Sequence, residues 1–390
     1  MKIKSIAVFL TMAVTVLFAG CSQSGNENVQ SFTENKKVTV RQTDTDGNFT
    51  ADVNVTAEIT AETVDTVTDI PETSAQEEVP SVTEARGSVP DSYREDGESG
   101  IKIIGRNGHY MGLMGCFGTL ENCERYADAV NRAADGLSHI NVYSMVIPTS
   151  SEFYVPDDMT NFTSSQKEKI DYISERLTGA VNVDVYSVLS EHTSEHIYSR
   201  TDHHWQPLGA YYAAKSFAKT AGISDRFAPL SEYTMVTKEG YMGSLYNYSE
   251  SAQLKSDPEP FTMYIPPNDN ALITTYYDLD LEEGHEGDLF ASRDGSAYYI
   301  SFLSVEYPTA KIETDCANGK TLVIMKESYG NALVPFLTGC YQTVYVCDIR
   351  AFELNLTDFC RNVGADDLLF ATCTYTPAGE GVAFVEKVIG

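Results

Sequence analysis

Two separated segments carry the residue types that acyl-transfer chemistry needs: Thr201-Asp202-His203-His204-Trp205 and, far downstream, Lys326-Glu327-Ser328-Tyr329-Gly330-Asn331. A serine hydroxyl is a poor nucleophile until a neighbouring imidazole takes its proton. The imidazole in turn needs a carboxylate to fix its tautomer and stabilise its charged form. Ser328, Asp202 and one of the two histidines would supply that set. The Ser328 and Gly330 amides and the Asn331 side chain are candidate donors to an oxyanion. Plainer readings stay open at this point: Ser328 as a helix cap, and the Asp-His-His-Trp run as a hydrogen-bonded corner anchored by the single tryptophan.

A rival constellation lies just upstream. His192-Thr193-Ser194-Glu195-His196 matches the H-x-x-E-H spacing in which two histidines one helical turn apart bind zinc and the glutamate activates water. That chemistry requires a long amphipathic helix, whereas this stretch reads as a polar connection. His203 or His204 could add a third ligand, but no metal site is expected. No nucleotide-binding loop, haem attachment site or flavin fingerprint is present, so no cofactor is expected either.

The elements that must position these residues follow from periodicity. Tyr126, Ala127, Val130 and Ala133 fall at helical spacing within Glu121 to Leu137, followed by a Val-, Ile- and Tyr-rich strand from His139 to Ile147. The pattern repeats as a helix near Ser164 to Leu177, a strand at Val181 to Tyr186, and a helix from Pro207 to Thr220 with proline in its first turn. Near the C-terminus come strands at Thr321 to Met325, Thr343 to Asp348 and Asp367 to Thr372, with a helix at Asn331 to Thr338. Strands alternating with helices predict an α/β fold, a parallel sheet with helices on both faces. In such sheets reactive groups belong in loops at the carboxyl ends of strands, where both chemical segments fall. The Tyr- and turn-rich text from about 230 to 315, including Tyr241-Met242-Gly243-Ser244-Leu245-Tyr246, reads as an antiparallel insertion.

The N-terminus sets the context. Lys2 and Lys4, an apolar run from Ile6 to Phe18, and Leu17-Phe18-Ala19-Gly20-Cys21 read as a lipoprotein signal over residues 1–20, with lipid on Cys21. The apolar run is short for a spanning helix, which needs about 20 residues. From Ser22 to Gly100 there are 17 acidic residues against 5 basic, and Phe32, Phe49 and Tyr93 are the sole aromatics. Such a stretch cannot bury enough apolar area to offset its ordering entropy, so residues 21–98 are expected to form a lipid-anchored, disordered acidic linker. The alternating Val53 and Val55 allow an isolated strand there. Residues 99–390 then form one domain held outside the cytoplasm on the cell membrane. The net charge of −29 argues against nucleic acid as a partner. Export permits disulfides; the seven cysteines after Cys21 are an odd number, so at least one thiol stays free or pairs outside the chain. Cys347 and Cys373 lie in apolar runs and read as reduced core residues.

The Thr201–Trp205 motif, the run from Lys326 to Leu337, and Val346-Cys347-Asp348-Ile349-Arg350 together resemble the DHHW proteins, relatives of the SGNH hydrolases and of the proteins that acetylate alginate. The resemblance spans about residues 100–390. It implies an SGNH-like (flavodoxin-like) fold, permuted so that the Asp-His element precedes the serine. It also implies Asp202 and His204 as acid and base, Ser328 as nucleophile, His203 as a flanking substrate contact, and Arg350 as a group for an anionic or acyl oxygen. Glu327 stands where these proteins usually carry aspartate. The expected function is a serine esterase or O-acyltransferase acting on acetyl groups of a cell-surface or extracellular glycan. The alternative is a non-catalytic glycan-binding or surface-assembly lipoprotein of the same fold.

Overall fold

The computed structural model describes residues 34–43, 49–59, 89–159, 161–278, 281–292, 298–303 and 307–390. The signal segment, Cys21 and most of the acidic stretch lie outside them. Glu34–Thr43 pairs antiparallel with Phe49–Ile59, placing Val53 and Val55 in a hairpin where an unpaired linker was expected. This hairpin belongs to a unit of its own, distinct from Thr83–Gly390.

In the larger unit the sheet is built by alternation. Leu322 and Ile324 are buried in one core while Val323 and Met325 of the same strand are buried in the other. Leu369 and Ala371 likewise oppose Leu368 and Phe370. Strands apolar on both faces must be covered on both faces. Eight strands make this sheet: β1 (Asn141–Ile147), β2 (Val181–Asn182), β3 (Ile273–Tyr277), β4 (Gly284–Gly287), β5 (Thr309–Glu313), β6 (Thr321–Lys326), β7 (Thr343–Asp348) and β8 (Asp367–Cys373). Their order is β4-β3-β5-β7-β6-β8-β1-β2. From β7 to β2 the pairing is parallel, and β4, β3 and β5 extend that sheet antiparallel.

The covering helices follow from sequence. Helix α1 (Leu120–Gly136) starts at Thr119, whose hydroxyl accepts from the Asn122 amide, and buries Tyr126, Ala127, Val130 and Ala133 on one face. Helix α2 (Pro207–Thr220) packs Ala210, Ala213, Ala214 and Phe217 on the opposite side. Helix α3 (Val382–Ile389) joins α1 through Arg125, which binds Glu386.

Three expectations are corrected. The Val181 strand has two residues, because Asp184 Oδ1 accepts the Ser187 amide and starts a helix at Tyr186–Glu191. The Asn331 helix is a 3₁₀ helix spanning Ser328–Phe336, with Pro335 inside it. The folded unit also begins before residue 99. Val89 bridges Gly108, Arg94–Asp96 pairs with Lys102–Ile104, and Tyr93 packs edge-on against Tyr110. The insertion divides in two: Thr234–Tyr241 and Glu259–Ile265 form their own hairpin, and the rest joins the main sheet. Among the described residues no helix is long and apolar enough to cross a membrane.

Candidate active site

Ser328 sits at the carboxyl end of β6, on the first residue of the 3₁₀ helix. The turn is built by Glu327, whose Oε2 accepts the Tyr329 amide at 3.0 Å while Oε1 accepts the Cys373 amide of β8 at 2.7 Å. The extra methylene relative to aspartate lets this side chain cap the helix and tie the adjacent strand at once. The other loop is pinned by Trp205, fully buried, whose indole N–H donates to the Tyr329 carbonyl at 3.0 Å. Tyr329 returns a hydrogen bond from its hydroxyl to the His203 carbonyl. The two chemical segments therefore hold each other.

Between them lies a relay. Ser328 Oγ is 2.8 Å from His204 Nε2, and His204 Nδ1 is 2.7 Å from Asp202 Oδ1. Burial pushes the Asp202 carboxyl up, but the hydrogen bond and charge of His204, with further help from His203, outweigh it and hold the group far below the usual carboxylate range. An ionised Asp202 only accepts, so His204 carries its proton on Nδ1 and leaves Nε2 to accept the serine O–H. Asp202 Oδ1 also accepts the His204 amide at 2.9 Å; Oδ2 accepts the Tyr241 hydroxyl at 2.9 Å and the Ser244 amide at 2.8 Å. The His204 ring stacks on Tyr299, centroids 4.0 Å apart and 9° from parallel. The Tyr299 hydroxyl donates to the Ser328 carbonyl at 2.9 Å.

His203 packs against the His204 ring at 3.8 Å, with Nδ1 beside Ser244 Oγ. Burial, then the His204 and Arg350 charges, lower it to about 4 against the pull of Asp202, so its ring is neutral near pH 7. Arg350 grips Asp348 with two nitrogens, Nε to Oδ1 at 2.9 Å and Nη2 to Oδ2 at 2.7 Å, and keeps 39% of its side chain exposed. One of the expected donors is placed otherwise. The Gly330 amide donates back to the Glu327 carbonyl at 2.9 Å, and this position is glycine because a Cβ would lie 2.5 Å from Lys326 Cβ. Asn331 is buried, with its Oδ1 lacking a hydrogen-bond partner.

Sequence reasoning missed the groups that hold the acid. Tyr241, Gly243 and Ser244 enclose Asp202; a Cβ on Gly243 would come within 2.1 Å of Asp202 Oδ2. Glu259, wholly buried, gathers the preceding loop: its carboxylate accepts the Ser199 hydroxyl, the Arg200 and Thr201 amides and the Thr201 hydroxyl. His196 Nε2 reaches the same carboxylate at 2.8 Å. That contact separates the two histidines of the H-x-x-E-H pattern, since His192 instead binds Glu195 and stacks on Tyr212. Asp202, His203 and His204 are the one grouping among the described residues that could converge on an ion. The Asp202 oxygens, both His204 ring nitrogens and His203 Nδ1 are already engaged with one another, Ser328, Ser244 and Tyr241.

An α/β sheet of this order, with an Asp-x-His loop meeting a serine at a strand-to-helix turn, is an SGNH-like fold. Residues 117–347 match the family described as DHHW protein, and the chain belongs to that family. A DHHW family protein from Eubacterium siraeum is 36% identical, with a TM-score of 0.68, 75% of this chain and 97% of that chain being covered. Bacillus cereus PatB1, solved with a sulfonyl adduct, shares the fold at 18% identity and a TM-score of 0.59, over 73% of this chain and 98% of its own. No curated protein matches the chain.

Proposed function

We propose that this chain is an extracytoplasmic serine esterase or O-acyltransferase acting on acetyl groups of a cell-surface or extracellular polysaccharide, tethered by lipid on Cys21. The observation that carries the reading is the continuous relay Asp202–His204–Ser328, with contacts of 2.7 and 2.8 Å. His204 Nε2 takes the Ser328 proton as Oγ attacks the acyl carbon, and the imidazolium then gives that proton to the departing alcohol oxygen. Water or a sugar hydroxyl next loses its proton to His204, attacks the acyl-serine, and the proton returns to Ser328 Oγ. Asp202 holds the tautomer and balances the imidazolium. The Tyr329 and Gly330 amides are committed to Glu327. The oxyanion therefore falls to the Ser328 amide, with the Asn331 side chain a second donor. Arg350 and His203 would meet the substrate at the rim, the guanidinium facing an anionic or acyl oxygen.

The sulfonyl adduct of PatB1 suggests a direct probe, because a sulfonyl fluoride captures an activated hydroxyl without needing the natural acyl donor. The full chain should release acetate from an activated acetyl ester and take up one sulfonyl group at Ser328. Ser328→Ala and His204→Ala should each lower turnover by roughly 10³-fold or more. A protein that binds acetylated glycan yet shows neither turnover nor labelling would be the non-catalytic binder instead.

A further inference from the structure

Seven cysteines follow Cys21, and only Cys316 among them is partly exposed; Cys116, Cys123, Cys340, Cys347, Cys360 and Cys373 are buried. An oxidant can therefore reach one thiol. What stands opposite that thiol is set by the β5–β7 ladder, which pairs Thr309 with Cys347 and Glu313 with Thr343. The Thr314 amide continues it by donating to the Gln342 carbonyl at 3.0 Å. Past this bond the strands part, and Cys316 and Cys340 sit just beyond their ends: the Cys316 amide donates to Thr314 Oγ1 at 3.1 Å and the Cys340 amide to the Leu337 carbonyl at 3.0 Å. Asn318 fastens this end. Its amide donates to the Cys316 carbonyl and its side chain to the Cys340 carbonyl, each at 2.8 Å. One asparagine thus ties both cysteine backbones together at the end of the ladder.

We propose that Cys316 and Cys340 form a disulfide that straps together the two ends of the segment carrying Ser328. Cys316, the one partly exposed thiol, has the Arg226 guanidinium 3.9 Å from its Sγ and is the entry thiol because an oxidant can reach it. Burial, and next the neighbouring Cys316, push the Cys340 thiol up to about 12, so it is the resolving partner. The Cys316 thiolate attacks one sulfur of an external disulfide, forming a mixed disulfide and releasing a thiolate. Cys340 then loses its proton and attacks Cys316 Sγ, displacing the second thiolate. Two protein thiols are oxidised and one external disulfide is reduced to two thiols. The closed loop of 25 residues contains β6 and the whole Ser328 helix. Closing it restricts the unfolded chain while leaving the native ladder in place. The proposal does not depend on the acyl-transfer reading; the oxidising exterior matters only for where the bond forms in the cell.

The test uses the purified full chain with glutathione disulfide, then alkylation and peptide mapping. The expected product has lost two hydrogens, carries a Cys316–Cys340 linked peptide, and leaves the other described cysteines alkylated only after unfolding. Its thermal midpoint should exceed that of the reduced chain by about 5 °C, a difference absent in Cys316→Ser. In Cys340→Ser, Cys316 should halt as the glutathione mixed disulfide. A wild-type chain that also halts there, or one that links Cys316 to another cysteine, overturns the proposal whatever the esterase assays show.

Discussion

Asp202 and Asp348 are both buried carboxylates, one behind His204 and the other against Lys326 at the end of β6, and both are held well below the ordinary carboxylate range, yet their partners differ in kind. Asp348 lies between permanent cations: Lys326 Nζ is 2.9 Å from Oδ2, and Arg350 holds both oxygens. Asp202 has a tyrosine hydroxyl, two backbone amides and one imidazole. Its charge is held by these hydrogen bonds and by the attraction of His204 and then His203, neither of which is a permanent cation. A carboxylate already matched by Lys and Arg has little to gain from a new proton nearby. One surrounded by dipoles stabilises an imidazolium at the moment it forms. On the proposed mechanism the first site is locked and the second is poised for proton movement.

The largest effect expected from breaking this contrast is in turnover. Asp202→Asn removes the charge behind His204 and permits the wrong tautomer, so kcat should fall by about 10⁴-fold while the circular dichroism stays that of the folded chain. Asp348→Asn should act on stability instead. It leaves Lys326, with 3% of its side chain exposed, in the core without its anion. A cost of about 3–5 kcal/mol is expected in urea unfolding, with turnover per folded molecule within roughly tenfold of wild type. The two measurements together decide the matter: if Asp348→Asn abolishes turnover without loosening the fold, the division between locked and poised carboxylates is wrong.

How much of this was legible beforehand follows from the distance over which each interaction is specified. The sheet was readable because β6 and β8 are continuous apolar runs and α1 repeats its apolar residues at helical spacing, both local signals. The acid, the histidine pair and the serine were readable as residue types in two loops beside predicted helices and strands, but the choice of His204 over His203 rested on the resemblance to the DHHW proteins. Tyr241 and Ser244 meet Asp202 from 39 and 42 residues away, and nothing in Tyr241-Met242-Gly243-Ser244 distinguishes a clamp from an ordinary turn. Glu259 left a faint trace, a lone acid between Pro258 and Pro260 at the head of an apolar strand. The donors it collects lie some 60 residues earlier. Gly330 was read as an oxyanion donor, but its lack of a side chain serves packing against Lys326.

The smallest expected effect sharpens the contrast through the residue between the two sites. His203 is lowered to about 4 by burial and then by the His204 and Arg350 charges, with Asp202 opposing. Unfolded, its ring titrates near the ordinary histidine value of about 6.5. Between these values the unfolded chain binds the proton that the folded chain refuses. Stability from this group is therefore complete above about pH 6.5 and is lost as pH falls toward 4. Both aspartates, lowered in the folded state, contribute stability that goes only below about pH 4, so the windows separate. The urea midpoint of wild type should accordingly decline between pH 6.5 and 4, and His203→Gln should flatten that decline while leaving the acid limb in place. Arg350→Gln removes one like charge from His203, brings its folded-state value closer to the unfolded one, and should make the decline smaller. A decline unchanged in His203→Gln would assign it to the other histidines and would leave Asp202 without the neutral neighbour that keeps His204 its sole source of positive charge.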